Sequence, residues 1–271
     1  MGVARPHVCV LLLCVSVSCS AAPFNQRPII GVLSQETYGA FANLGRSYIA
    51  ASYVKYLESA GARVVPISID QSEAEYQKLF YSINGVLFPG GGVNLKTSQY
   101  AKIASLFYKL AMQVNDNGTH FPMWGTCLGF EELTVITSGR NVLIATKTKN
   151  ISFPLKFTKD AASSRMFKNF PEDLMHALAV ESLTANFHHW SLSVKNFTRN
   201  EKLKNFYKIL TTNTDSQGIE FISTMEARKN IHHFPDETEE MRALIYNKVP
   251  VYTGNISSFE QIYLIDNNHF S

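Results

Sequence analysis

The sequence has no lysine- or arginine-rich run, and after residue 22 it has no long hydrophobic run. The first absence, together with a formal net charge of only +3, argues against a nucleic-acid-binding protein. The second argues against a membrane span in the body of the chain. Hydrophobic residues make up 45% and charged residues 17%, which is ordinary for a folded domain and excludes a disordered or collagen-like chain.

The strongly apolar stretch stands at the N terminus. Arg5 supplies a positive charge, residues 8–17 are apolar, and small residues follow at positions 20–22. This run is too short to anchor a chain in a bilayer. The pattern therefore predicts a secretory signal peptide over residues 1–22, with a buried N-terminal helix as the alternative. Residues 23–271 show no repeat and no linker, so we expect a single domain.

Four Asn-x-Ser/Thr sequons agree with a secretory route. They begin at Asn117, Asn150, Asn196 and Asn255. One sequon is weak evidence because the pattern is short and common by chance. Four of them behind a signal peptide predict a secreted glycoprotein.

Cysteine is scarce. Removal of the signal peptide would take away Cys9, Cys14 and Cys19 and leave Cys127 alone. No internal disulfide could then form, so the fold would have to rest on its core. A lone thiol in an oxidising compartment is either buried and inert, which is the common case, or used chemically. The residues around Cys127 favour use.

Short apolar runs alternate with amphipathic stretches between residues 28 and 140. Strands are predicted at 28–33, 63–67, 85–88 and 121–125. Helices are predicted at 47–60, at 72–80 behind a Ser-x-x-Glu capping box, at 100–111 and at 128–137. This alternation predicts an α/β fold with a mostly parallel sheet covered by helices on both faces.

The pattern changes beyond residue 140. Short strands are predicted at 141–145, 151–157, 191–194, 208–213 and 219–224, with a hairpin turn at 215–218. They predict an added antiparallel portion within the same domain.

Residues 125–129, Gly-Thr-Cys-Leu-Gly, form a G-x-C-x-G motif where the fourth predicted strand meets a helix. The glycines allow a sharp turn that would hold Cys127 in a strained bend above the sheet. The following helix directs its N-terminal dipole at the sulfur, which we expect to lower the thiol pKa. The N–H of Leu128, and a second N–H from the glycine turn at residues 90–92, could bind a developing oxyanion.

Five segments resemble the gamma-glutamyl hydrolase family: FPGGGVNL, MWGTCLGFEEL, LTANFHHWSLSVKNF, TTNTDSQGIEFISTME and YTGNISSF. The resemblance runs nearly end to end from Arg27. It implies a class I glutamine amidotransferase-like fold, a homodimer found in lysosomes and extracellular fluid, and a folate poly-gamma-glutamate substrate. We expect no cofactor and no metal. Cys127 would attack the gamma-amide carbonyl and form a thioester, with Gly91, Gly92 and Leu128 as the oxyanion hole.

The resemblance also places Glu131 and His188 near the substrate. For Glu131 the alternative is a solvated or helix-capping acid. For His188 the alternative is a loop histidine packed on Trp190. Basic side chains are expected to meet the polyanionic glutamate tail, but the sequence does not identify them.

The chain departs from the family after Glu226. There the family has a strand with a Trp-His-Pro-Glu segment whose histidine is the catalytic base, and this sequence contains no His-Pro-Glu. Ala227 begins a segment that stands further along in the family. We therefore expect a missing internal block at this junction and impaired activity. Candidate substitute bases are His188 and, in a polar tail, His232 and His233.

Two other functions stay open at this point. A non-catalytic glycoprotein could keep the cleft for binding, or could dimerise with the full-length enzyme. A glutamine amidotransferase subunit is disfavoured, because the synthases that it would serve are intracellular and this chain carries a signal peptide.

Overall fold

A computed structural model describes residues 27–119, 121–226 and 237–265. The predicted signal peptide lies outside these residues, and so do His232 and His233. No helix in the described ranges is long and apolar enough to cross a membrane.

The strands of the described ranges are, in chain order, β1 (Ile29–Leu33), β2 (Gln35–Glu36), β3 (Ser47–Ala50), β4 (Arg63–Ile67), β5 (Gly85–Phe88), β6 (Met123–Gly125), β7 (Ile144–Ala145), β8 (Ile151–Phe153), β9 (Lys156–Phe157), β10 (Thr184–Asn186), β11 (Trp190–Ser191), β12 (Ile209–Thr214), β13 (Glu220–Met225), β14 (Pro250–Tyr252) and β15 (Gln261–Leu264). The helices are α1 (Ala51–Ser59), α2 (Glu73–Phe80), α3 (Gln99–Asp116), α4 (Leu128–Ser138), α5 (Glu172–Val180), α6 (Val194–Thr198), α7 (Glu201–Phe206) and α8 (Glu237–Ala243).

The centre of the fold is a parallel sheet of four strands in the order β4-β1-β5-β6. Side chains of β1 alternate between its two faces. Leu33 packs with Phe80 of α2 and Phe107 of α3 on one face, and Val32 packs with Val54 of α1 on the other. Helices thus cover both faces, which confirms the predicted α/β architecture.

The second half of the chain adds antiparallel structure, as predicted. One sheet has the order β13-β12-β9, a second has the order β14-β15-β3-β2, and two pairs join β10 to β8 and β11 to β7. The turn between β12 and β13 is the predicted hairpin: Gly218 has a φ of +81°, and Asp215 Oδ1 accepts the N–H groups of Gln217 and Ile219.

Four predicted elements differ in the structure. Of the strand predicted at 141–145, only Ile144–Ala145 (β7) forms. Residues 47–50 form strand β3 instead of the first turn of a helix, because they pair with β2 and with the distant β15. Residues 151–157 form two strands, since Pro154 has no N–H to donate. Val194 starts helix α6 instead of ending a strand, because the Ser193 side chain accepts the N–H of Asn196 as an N-cap.

The four sequons differ in accessibility. Asn117, Asn150 and Asn255 are exposed. Asn196 is half-buried in α6, and its Nδ2 donates a hydrogen bond to the Val142 carbonyl at 2.7 Å. Because a glycan is attached through this nitrogen, the folded chain offers three of the four sequons.

We predict that the chain, made in secretory cells with its own N terminus, carries glycans at Asn117, Asn150 and Asn255 and little at Asn196. Enzymatic deglycosylation in heavy-oxygen water, followed by peptide mass mapping, measures the occupancy of each site. Asn150→Gln serves as the control and should remove the mass of one glycan, whereas Asn196→Gln should leave the mass of the glycoprotein unchanged. Full occupancy at Asn196 would contradict the prediction.

Candidate active site

Cys127 sits in a bend between β6 and α4. It has a φ of 53° and a ψ of −112°, a backbone conformation that a residue with a side chain rarely adopts. The neighbouring glycines make the bend possible. A Cβ added to Gly129 would lie 1.9 Å from the Phe88 carbonyl oxygen, and one added to Gly125 would lie 2.5 Å from the Gly129 backbone. The predicted strained bend is therefore present in the structure.

Two backbone N–H groups face the Cys127 sulfur, those of Leu128 and Gly91, and both lower the thiol pKa. Gly91 comes close because β5 and β6 are adjacent and parallel, so the turn after β5 lies beside the bend. A Cβ added to Gly90 would lie 3.6 Å from Cys127 Sγ. Gly92 differs from the prediction, because its N–H donates to the Gln35 side chain at 3.4 Å.

An open cavity of about 670 Å³ lies over the bend. Cys127, Glu131 and His188 all line it, so the structure brings these three predicted residues together. Aromatic side chains form much of the remaining wall: Tyr38, Tyr53, Trp124, Phe130, Phe187, Trp190, Phe221 and Phe259.

The polar side chains on the cavity wall are not the expected ones. No lysine or arginine among the described residues lines the cavity, although basic side chains were expected to meet a polyanionic tail. The uncharged groups there include Thr184, Asn186 and Ser223. In the described part of the chain, no group of three or more His, Cys, Asp or Glu residues could hold a metal ion.

Two successive carboxyl groups are buried at the start of α4. Glu131 is 9% exposed, and burial raises its pKa to about 7. It is therefore not the solvated acid that was the alternative. Glu132 is 1% exposed, and its Oε2 has no hydrogen-bond partner among the described residues. Burial, and then the charge of Glu131, raise the pKa of Glu132 to about 8.

The predicted lowering effect on the thiol pKa is present, but the net shift of the thiol pKa is upward. Burial, followed by the nearby Glu131 carboxylate, raises the pKa of Cys127 above its ordinary value. The N–H groups of Leu128 and Gly91 act in the expected direction but are outweighed. A sequence motif shows the helix that follows the cysteine, but it does not show how far the sulfur is removed from water.

His188 is half-buried in the cavity wall, and its ring packs edge-on against Phe221 with the centroids 6.1 Å apart. The alternative of packing on Trp190 is not what the structure shows. Burial, and then the charge of His189, lower the pKa of His188. Its imidazole is therefore neutral near pH 7 and able to accept a proton.

Sequence reasoning missed two residues beside the glycine turn. Tyr53 lies within the helix predicted at 47–60 and was not a candidate site residue, but it lines the cavity and its Oη accepts the Gly90 N–H at 2.9 Å. Gln35 was not singled out, although its Nε2 donates to the Gly90 carbonyl at 2.8 Å. No local pattern marks either residue, since both contacts cross more than 30 residues of sequence.

Comparison with known proteins gives a matching family model, related sequences and structural neighbours. The family model described as peptidase C26 matches residues 28–232. A gamma-glutamyl hydrolase of Mus musculus is 52% identical over 306 residues, which cover 94% of this chain and 96% of the relative. A gamma-glutamyl hydrolase of Homo sapiens is 52% identical over 288 residues, which cover 89% of this chain and 90% of the relative. Among solved structures, the glutaminase domain of Trypanosoma brucei CTPS with bound acivicin aligns with a TM-score of 0.47 and 13% identity, over 74% of this chain and 81% of that one.

We predict that Glu131→Gln makes Cys127 more reactive above pH 7. Removing the negative charge lowers the thiol pKa, so alkylation by iodoacetamide at pH 8 should be roughly 3- to 10-fold faster, equivalent to about half to one pKa unit. Intact-mass spectrometry over time measures the rate. Glu73→Gln, at an exposed acid in the first turn of α2, is the matched control and should leave the rate unchanged. An unchanged or slower rate for Glu131→Gln would contradict this account.

We also predict that thermal stability falls as the pH rises from 5 to 8. In the folded chain the pKa values of Glu131 and Glu132 are raised from the ordinary value of 4.5 to about 7 and about 8. Their contribution to the free energy of unfolding is therefore fully present below pH 4.5 and is lost as the pH rises through the two folded pKa values. Each pKa unit corresponds to about 1.4 kcal/mol, and each kcal/mol to roughly 2–4 °C in Tm. Calorimetry should show a smaller decline for Glu132→Gln, and an equal decline in the two proteins would refute the assignment.

Proposed function

The chain belongs to the peptidase C26 family, and on that premise we propose that it hydrolyses the gamma-glutamyl bonds of folate poly-gamma-glutamates with Cys127 as the nucleophile. By family it is a hydrolase related to the gamma-glutamyl hydrolases. The observation that carries the proposal is the strained bend that holds the Cys127 sulfur in an open cavity, with the N–H groups of Leu128 and Gly91 facing it.

The reaction follows from this arrangement. The thiolate forms a bond to the gamma-carbonyl carbon, and the negative charge that develops on the carbonyl oxygen is met by the two N–H groups. The C–N bond then breaks, the leaving nitrogen takes up a proton, and a thioester remains. Water attacks the thioester, which releases the gamma-carboxylate and returns the thiol. The first step needs a base for the thiol proton.

We propose that the base in this chain is a substitute. His188 lines the cavity with Cys127 and is neutral, so it can accept a proton, and Glu131 is a carboxyl group on the same wall. Loss of a dedicated base from a catalytic triad lowers rates by roughly 10⁴- to 10⁶-fold. The raised thiol pKa lowers the thiolate fraction further. Turnover should therefore be slow.

The proposed missing block at the Glu226–Ala227 junction has two supports. The alignment with the mouse relative covers 306 residues while this chain has 271, so part of that relative faces gaps. In addition, β6 pairs only with β5 among the described residues, and Trp124 on this edge strand is 42% exposed. An open edge beside the nucleophile is where a further strand could pair.

The second candidate function is a binding glycoprotein without turnover. The raised pKa of Cys127 favours it, because a protonated thiol is a poor nucleophile. In either case we propose that the chain enters the secretory route, reaches the extracellular space and lysosomes, and forms a homodimer, as the resemblance to the family implies.

We predict a slow, cysteine-dependent cleavage of a fluorogenic gamma-glutamyl-glutamate substrate. Cys127→Ala should reduce the rate to background, and His188→Gln should lower it at least roughly tenfold if His188 accepts the thiol proton. Equal, negligible rates for wild type and Cys127→Ala would refute turnover. Retained binding of the substrate, measured by calorimetry on the same proteins, would then establish the second function.

A chimera tests the missing block. Residues of the human relative that face the gap are inserted at the Glu226–Ala227 junction. If the junction lacks the base, the chimera should gain at least roughly 10³-fold in rate. A folded chimera with no gain would contradict the proposed deletion.

A further inference from the structure

Gln35 is completely buried at the start of β2, with 0% of its surface exposed. Its carboxamide uses both of its ends on the glycine turn. The Nε2 donates to the Gly90 carbonyl at 2.8 Å, and the Oε1 accepts the Gly92 N–H at 3.4 Å. The side chain thus bridges the backbone on either side of Gly91.

The carboxamide lies flat against Gly91. A Cβ added to Gly91 would stand 1.7 Å from Gln35 Oε1 and 2.3 Å from its Nε2. No side chain other than hydrogen fits there while Gln35 keeps its place. The turn and the glutamine are therefore a matched pair, and a requirement for glycine at position 91 comes from the glutamine.

The orientation of one peptide group follows from these contacts. The Gly90 carbonyl and the Gly91 N–H belong to the same peptide unit, and in a planar trans peptide they point in opposite directions. The described residues contain no cis peptide. When Gln35 holds the Gly90 carbonyl on one side, the Gly91 N–H must point to the other side. The turn lies beside Cys127, since a Cβ added to Gly90 would stand 3.1 Å from Cys127 Cβ and 3.6 Å from Sγ, and the Gly91 N–H lowers the pKa of that thiol.

Tyr53 fixes the preceding peptide unit by the same logic. Its Oη accepts the Gly90 N–H at 2.9 Å, so the turn is held at Gly90 N–H, Gly90 carbonyl and Gly92 N–H. Among the hydrogen bonds of the described residues, no protein oxygen accepts the Gly91 N–H, whereas the Gly90 and Gly92 N–H groups each have an acceptor. It remains free for the reaction.

We propose that Gln35 is a positioning residue. It aims the Gly91 N–H toward the Cys127 sulfur, where it also meets the negative charge that develops on the substrate carbonyl oxygen. The inference rests on the proposed function in that Cys127 is the nucleophile. Donors fixed in advance stabilise such charge without reorganising during the reaction, and the loss of one such donor lowers catalysis by roughly 10²- to 10³-fold. Gln35 supplies the fixation and does not itself touch the sulfur or the substrate.

The test measures Cys127 itself, so that it does not depend on turnover. Residues 23–271 contain a single cysteine, and the pH profile of its alkylation by iodoacetamide reports the thiol pKa. Gln35→Met keeps the length of the side chain and removes both hydrogen bonds. The Gly91 N–H should then turn away from the sulfur, and alkylation at pH 8 should fall roughly 3- to 10-fold, a shift of about half to one pKa unit.

Gln35→Glu is the conservative variant. A protonated carboxylic acid can still donate to the Gly90 carbonyl and accept from the Gly92 N–H, whereas a carboxylate cannot donate. Its alkylation rate should match the wild type at the acid end of the profile and fall below it as the carboxyl ionises. This variant decides the question if Gln35→Met does not fold. A Gln35→Glu rate that falls below the wild type already at the acid end of the profile, where the carboxyl is protonated and keeps both hydrogen bonds, would overturn the proposal.

Asn84→Leu is the matched control. Asn84 is buried at the opposite end of β5, and its Oδ1 accepts the Ile29 N–H at 2.8 Å. Its loss should lower the melting temperature without moving the alkylation profile. An equal shift in Asn84→Leu, or none in a folded Gln35→Met, would refute positioning by Gln35. If wild type cleaves no substrate and the Gln35 shift is still observed, the proposed function fails and the positioning role stands.

Discussion

The parallel pairing of β5 with β6 determines the geometry of the whole site. Its register sets Phe88 opposite Gly125, and the Thr126 N–H extends the pairing by donating to the Phe88 carbonyl at 3.1 Å. Two chain segments therefore leave the sheet side by side, one as the glycine turn and one as the bend with Cys127. Any shift in this register would separate the Gly91 N–H from the sulfur, because each strand carries its following turn with it.

The same close packing that orders the site also makes charge costly there. The thiol and the Glu131 and Glu132 carboxyl groups all have raised pKa values, and burial is the largest cause for each of them. With no lysine or arginine from the described residues on the cavity wall, the N–H groups at the bend are the groups that favour an anion. The site is thus built to stabilise negative charge at one point and to disfavour it nearby.

Local sequence signals predicted the elements that carry the nucleophile. Strands at 63–67 and 85–88 have the predicted bounds, the capping box of α2 is present, and the G-x-C-x-G motif forms the strained bend. These features depend on residues close together in sequence. Strand β3 was missed because its partner β15 lies more than 200 residues away. The contacts of Gln35, and the burial of both carboxyl groups on a helix that is buried around most of its circumference, are likewise set by tertiary packing.

The protonated resting state of Cys127 has a consequence for the lifetime of the molecule. Peroxides and disulfides react with the thiolate, and oxidation beyond the sulfenic acid is in practice irreversible. A thiol whose raised pKa keeps it protonated resists both reactions, even though it lines an open cavity. With no other cysteine after residue 19 to form a protective disulfide, the low thiolate fraction itself protects Cys127 from oxidation, at the expense of its reactivity as a nucleophile.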